Sequence, residues 1–331
     1  MEQKSFIKID DREEWQNLLS KVLFKTLFHT IEWEEFLEKQ FKWLRFERYL
    51  YQDQLLLSLA KVNGKKLVSH PFCEYGGPLP LAERIDGERF AHDLFSEFKN
   101  PIKISFHPHL LNYFNVTKQG FVTLRESYFL EDLDRQASES LWQKMDRNRR
   151  RSIKLAQETG FQVTECRRRK DLEKLYHLYA KDMKRHKTIP YTFSFFEYFL
   201  NSPQAKILLA KKDKKIVGGN VFLSYNKILH SFLCGFEEKF KKLGVHSFVI
   251  WEAIKMAQTK GFKYFDFGGT KKGSSVGDFK NRWGAKVCPI YEIKNYSGES
   301  GLRQSKLRDA YGLLPVFLIK KLSPYLLKYK L

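Results

Sequence analysis

Cysteine is scarce in this chain. Cys73, Cys166, Cys234 and Cys288 are the only four among 331 residues, and no two show Cys-x-x-Cys spacing. That excludes a disulfide framework or a zinc ribbon and fits a reducing compartment. Long apolar runs are also absent: none reaches the roughly 18–20 residues a membrane span needs. The opening residues, MEQKSFIKIDDREEW, lack the apolar core of a secretory signal. These two absences make a cytoplasmic protein the expectation. No G-x-S-x-G, G-x-x-x-x-G-K-[ST] or H-E-x-x-H occurs, which removes the serine-hydrolase, P-loop and zincin classes. His107-Pro108-His109 offers two imidazoles but no third ligand, so no metal is expected.

Acidic residues are outnumbered, 38 against 59 Lys and Arg, for a net charge of +21. Such an excess favours polyanionic partners such as tRNA, phosphate-bearing cofactors or an anionic lipid surface. Scattered, solvated lysines are the competing explanation. Hydrophobic residues make up 43% of the chain and aromatics 15%, enough for well-packed cores. The length exceeds what one core commonly serves, so two domains are expected.

The order of elements points to a duplication. Residues 45–51, 54–62 and 65–72 read as three strands, with Asn63-Gly64 as a type I′ hairpin turn. Helical periodicity follows over 82–99, Asn100-Pro101 stops it, and 102–106 reads as a strand. The second half repeats the sequence: strands at 205–210, 215–224 and 228–236, a helix at about 247–260 stopped by Gly261, and a strand at 264–267. Nearly one offset separates Asn63 from Asn226 and Ile104 from Asp266, as two α/β units of one topology require. Helices over 141–159, 171–187 and 193–200 lie between the two sets. The predicted division is 1–135, 136–300 and a basic, apolar C-terminal segment 301–331. For that segment two roles stand open: packing back on the first domain, or contact with a membrane surface.

Chemistry is most legible in 264–285, YFDFGGTKKGSSVGDFKNRWGA. Asp266 lies in an apolar strand, as a general base, an orienting group or a structural carboxylate. Phe279 is expected to anchor a glycine-rich loop by packing and to aim Lys280 at a cleft, where an ammonium stabilises an oxyanion. Upstream, Gly244, Val245, His246 and Ser247 open a helix and have the layout of an anion site. Arg147 to Arg151 are spread around a helix axis, so only one or two can face a ligand.

These residues carry a family resemblance. The 264–285 stretch resembles the closing signature of Fem-type (FemABX-like) transferases, the peptidoglycan-bridge group of the GNAT superfamily. FHTIEWEEFLEKQ around Trp33, YGGPLP at 75–80 and MDRNRRRSIKLAQETG at 145–160 are similar to other segments of that group. The resemblance covers about residues 24 to 325. It implies an α/β fold with a mixed sheet and tandem GNAT-like domains, an acceptor-side domain followed by a transfer and donor side. It also implies N-acyl or aminoacyl transfer onto an amine of a cell-envelope or polysaccharide precursor. Lys280 would be the catalytic lysine, with Asp266 beside it and Gly244–Ser247 on the donor side. Acceptor recognition would fall to Trp33, Tyr75, Gly76, Gly77, Arg185 and Tyr264. The donor substrate is acyl-CoA, acyl-carrier protein or aminoacyl-tRNA, with no tightly bound cofactor. The long charged helical arm of some tRNA-dependent members is missing, and FKKLGVHS lacks the glycine spacing of CoA-binding members. A non-catalytic tRNA- or anionic-lipid-binding protein on a decayed fold is the alternative.

Overall fold

A computed structural model describes residues 5–115, 122–296 and 312–331. The chain forms two compact units: 1–127 with 288–299 and Leu331, and 128–287 with 300–330. The first boundary therefore falls at 127/128, inside a strand, upstream of the expected 135/136.

In the first unit the order is β1 (Phe6–Lys8), α1 (Arg12–Lys21), α2 (Ile31–Gln40), β2 (Leu44–Tyr51), β3 (Leu55–Val62) and β4 (Lys66–Ser69). Then come β5 (Leu79–Pro80), β6 (Ile85–Asp86), α3 (Gly87–Glu97), β7 (Ile102–Ser105), β8 (Phe114–Asn115) and β9 (Val122–Leu130), which ends in the second unit. Strands β2, β3 and β4 form an antiparallel meander, and β7 returns parallel to β4. Helix α3 makes that crossover, with Asp86 capping its first turn through the N–H groups of Glu88 and Arg89. The predicted Asn63-Gly64 turn is present, with φ of 49° and 69°. Two consecutive positive φ values define type I′ and explain the choice of Asn-Gly.

The second unit repeats this path. It begins with α4 (Ser138–Lys144), α5 (Arg147–Glu158), β10 (Gln162–Glu165), α6 (Arg169–Arg185) and α7 (Phe193–Asn201). The meander β11 (Ala205–Lys212), β12 (Lys215–Tyr225) and β13 (Ile228–Phe236) follows, turning at Asp213-Lys214 and Asn226-Lys227, again with paired positive φ. After a single turn α8 (Glu238–Lys241), helix α9 (Val245–Thr259) crosses over to β14 (Tyr264–Asp266), parallel to β13. The rest is β15 (Thr270–Lys271), α10 (Ser275–Asn281), β16 (Lys286–Lys294), which ends in the first unit paired with β7, and α11 (Val316–Leu326). Helices α5 and α9 cover one face of the sheet through Ile153, Val249, Ala253 and Phe265. The other face is covered by α6 and α7. Gly235 on β13 permits that: a Cβ there would strike the backbone of Tyr179.

Three expectations need correction. The helix expected over 141–159 is two helices, broken at Met145-Asp146, where the Asp146 side chain accepts the Asn148 N–H at 2.8 Å and starts α5. The stretch after Gly268 is not one loop but contains α10, capped by Ser274. The C-terminal segment, expected on the first domain, lies with its helix against α6 of the second unit. Ile319, Ser323 and Leu327 face inward, and Ser323 Oγ donates to the Pro190 carbonyl. Residues 301–311 of that segment lie outside the described residues.

Candidate active site

Strand β14 delivers Asp266 to the sheet interior, fully buried, with Phe265 on the opposite face in the α5/α9 core. Asp266 Oδ1 accepts the N–H of Gly268 at 2.7 Å and so shapes the glycine turn that follows the strand. Gly268 adopts φ +77°, which a side chain would oppose. Its carbonyl then accepts from Lys280 Nζ at 2.7 Å, and the Gly269 carbonyl lies 3.4 Å from the same nitrogen. Lys280 is only 9% exposed. A lysine so enclosed is expensive to place unless its N–H groups are satisfied, and the glycine turn supplies the acceptors.

Helix α10 positions Lys280. Ser274 Oγ accepts the Gly277 N–H at 3.2 Å, and Asp278 sits in the first turn, where a carboxylate suits the helix dipole. Gly277 is required by close packing: the Tyr128 hydroxyl lies 2.7 Å from where a Cβ would be. Phe279 stacks on His246 at 5.1 Å with the rings 7° from parallel. The Arg149 guanidinium lies 4.0 Å from the Phe279 ring, donates to Ser247 Oγ at 2.6 Å and reaches the Phe279 carbonyl at 3.4 Å. Phe279 thus anchors α10 as expected, and Arg149 is the one member of the Arg147–Arg151 run that is buried. Burial, with Arg282 nearby, lowers the Arg149 pKa to about 10, so it remains a cation at neutral pH. His246 is pushed down to about 3 by burial and by Arg149, Lys241 and Lys280, which keeps it neutral.

The first turn of α9 differs from the expected open anion site. Gly244 has φ +76°, and a Cβ there would collide with the Ser152 carbonyl of α5. Val245 and Ser247 are buried, Ser247 as a partner of Arg149, while His246 serves as a platform for Phe279. Through these contacts the turn holds α5 and α10 together.

The remaining predicted residues have structural partners. Trp33 is fully buried between Phe28 and Phe36. Tyr75 is buried, with its hydroxyl 3.2 Å from Ser127 Oγ and its ring against His107. Gly76 and Gly77 allow close packing, the first against the His70 side chain and the second against the Phe106 backbone. Arg185 pairs with Asp182 and Glu238, and Tyr264 lies on β14 opposite Ile228. His107 caps a short 3-10 helix by accepting the His109 N–H at 3.1 Å.

Two residues escaped sequence reasoning. His230, fully buried on β13, places Nε2 3.9 Å from Asp266 Oδ2, with the Tyr225 hydroxyl 3.5 Å from its Nδ1. Asp182 is buried on α6, where it accepts the Phe236 N–H at 3.2 Å and the Lys241 ammonium at 3.0 Å, fixing the end of β13. Asp182 continues the spacing of Leu175 and Leu178 on the apolar side of α6, and a carboxylate on such a stripe was the available signal.

Residues 143–281, which carry this site, match the acetyltransferase (GNAT) domain family. Within the second unit, residues 143–281 thus carry a GNAT-type domain. Over most of its length the chain also has the fold of several solved proteins. FemX aligns with a TM-score of 0.59 at 15% identity, covering 88% of this chain and 97% of its own. L-PGS from Bacillus licheniformis aligns at 0.56 and 16% identity, covering 91% and 97%. A tandem GNAT protein from the clavulanic acid biosynthesis pathway aligns at 0.51 and 9% identity, covering 89% and 99%. The α/β fold with tandem GNAT-like units that the family resemblance implied is thus established, in agreement with the duplicated element order. No curated protein sequence matches the chain.

Proposed function

We propose that this protein transfers an acyl or aminoacyl group from an activated donor to an amine of a cell-envelope or polysaccharide precursor. The observation that carries the proposal is the enclosed Lys280 ammonium, held by the Gly268 and Gly269 carbonyls in a GNAT domain. The two carbonyls fix the position of the ammonium. A fixed cation in an enclosed site stabilises the oxyanion formed when an amine attacks an activated carbonyl. The C–N bond forms, the C–O or C–S bond to the donor breaks, and the amine proton leaves with the departing oxygen or sulfur. Asp266 acts through Gly268, as an orienting group rather than at the reacting atoms.

The covered first turn of α9 bears on the donor. A donor recognised through a carrier protein or a tRNA body does not depend on a pyrophosphate cradle at that turn, whereas acyl-CoA commonly does. The same observation favours a second reading, a tRNA- or lipid-binding protein that has lost transfer. Incubation with acyl-CoA, acyl-carrier protein and aminoacyl-tRNA donors, with product detected by mass spectrometry, separates the two. Transfer that disappears in Lys280→Ala supports the enzyme. Absence of transfer from all three donors with envelope-precursor amines supports the binding protein.

A further inference from the structure

The inner seam of α11, Ile319, Ser323 and Leu327, is committed to the second unit. Its outer side and flanks are apolar and exposed: Leu313 is 84% exposed, Phe317 68%, Tyr325 71% and Tyr329 50%. Leu322 is exposed beside them, and Lys321 lies between Phe317 and Tyr325 at four-residue spacing. From 312 to 331 the sequence has four lysines and no acidic residue. Leu313 also lines a shallow pocket of about 390 Å³ whose other walls are Lys181, Lys184, Arg185, Lys187 and Gly312. Arg185 pairs with Asp182 and Glu238, and Lys181, Lys184 and Lys187 add further positive charge to the pocket wall. An apolar stripe thus adjoins a basic pocket, and both belong to one unit.

We propose that the outer face of α11 and this basic pocket form a docking surface for an anionic lipid bilayer. Aromatic and leucine side chains enter the boundary between headgroups and acyl chains, while adjacent lysines meet lipid phosphates. The leucines decide against RNA. Phosphate contacts and base stacking use lysine, arginine and aromatic groups, and Leu313 and Leu322 gain nothing from them. No helix among the described residues is long and apolar enough to cross a membrane, so the contact is interfacial. The proposal does not depend on the transfer reaction, and its test contains no turnover.

The full chain is sedimented with phosphatidylcholine vesicles, with and without phosphatidylglycerol, over a salt series. Binding is expected only with the anionic lipid, weakening as salt rises. Lys184→Ala/Lys187→Ala should weaken it about 25-fold, taking roughly fivefold per basic residue. Phe317→Ser/Tyr325→Ser should release the protein while leaving the thermal melt unchanged, because both side chains are exposed. Failure of the wild type to sediment with anionic vesicles overturns the proposal. So does equal sedimentation with neutral vesicles, or wild-type binding by both double variants. Displacement from vesicles by tRNA at equal phosphate concentration assigns the surface to RNA instead.

Discussion

Asp266 and Lys280 are coupled through Gly268, whose N–H donates to the carboxylate and whose carbonyl accepts from the ammonium, each at 2.7 Å. A buried acid therefore helps to fix the glycine whose carbonyl holds a buried base. The first prediction separates their roles. Lys280→Ala should reduce transfer by about 10²–10³-fold, the cost of removing one oxyanion donor, with an unchanged circular dichroism spectrum. Asp266→Asn should lower both rate and melting temperature, since one acceptor in the turn becomes an amide. Wild-type turnover in Lys280→Ala would remove that residue from the chemistry.

Arg149 joins α5, α9 and α10 through Ser247 and Phe279. Arg149→Ala should cost roughly 2 kcal/mol from the lost ring contact and buried hydrogen bonds, read as a lower urea midpoint. Ser247→Ala should cost about 1 kcal/mol and leave the donor KM unchanged. A raised donor KM with unaltered stability in Ser247→Ala would return the α9 turn to phosphate binding.

Gly277 is helical, where alanine ordinarily stabilises by about 1 kcal/mol. Here the Tyr128 hydroxyl occupies the space a methyl group would need. Gly277→Ala should instead destabilise by about 1–3 kcal/mol through overpacking. Tyr128→Phe/Gly277→Ala should recover most of that loss, because the crowding atom is the hydroxyl oxygen. A thermal-melt double-mutant cycle without coupling would refute the contact.

His29 is buried in the first unit, with Nε2 3.1 Å from the Gly77 carbonyl, and burial lowers its pKa to about 4. The neutral form is the folded form. Stability is therefore fully present above the unfolded value near 6.5 and is lost as pH falls toward 4. The loss amounts to about 3 kcal/mol. His70, whose ring lies 4.5 Å from that of His29, is lowered in the same direction by burial and by its neighbour. Urea titrations should show a steeper decline between pH 6.5 and 4 in the wild type than in His29→Gln. Equal slopes would mean that His29 does not stay neutral in the fold.

Much of the architecture was legible because local rules govern it. Asn63-Gly64 and Asn226-Lys227 turn where positive φ is needed, and apolar periodicity marked α6 and α9 closely, whereas α3 starts at Gly87, after strand β6, rather than at the expected 82. The repeated meander, crossover helix and parallel strand followed from that order. Helix α10 was missed because Gly273 and Gly277 look like loop residues, while Ser274 followed by Asp278 was the cap signal that should have outweighed them. Met145-Asp146 was read through as helix because its neighbours kept the period, although Asp146 is a good N-cap.

The site divides along the same line. Sequence alone determined that Lys280 follows an aromatic anchor and that Asp266 lies in an apolar strand, because residue type and spacing are local facts. It could not tell a glycine left open from one packed against a neighbouring segment. Gly76, Gly77 and Gly244 are all of the second kind. That choice depends on which distant segment arrives at the glycine: His70 and Phe106 for the first two, Ser152 for the third. Tertiary packing likewise chose Arg149 from its run of arginines and set α11 against α6. Both outcomes rest on the shape of the surface each helix meets, and no local period encodes that shape.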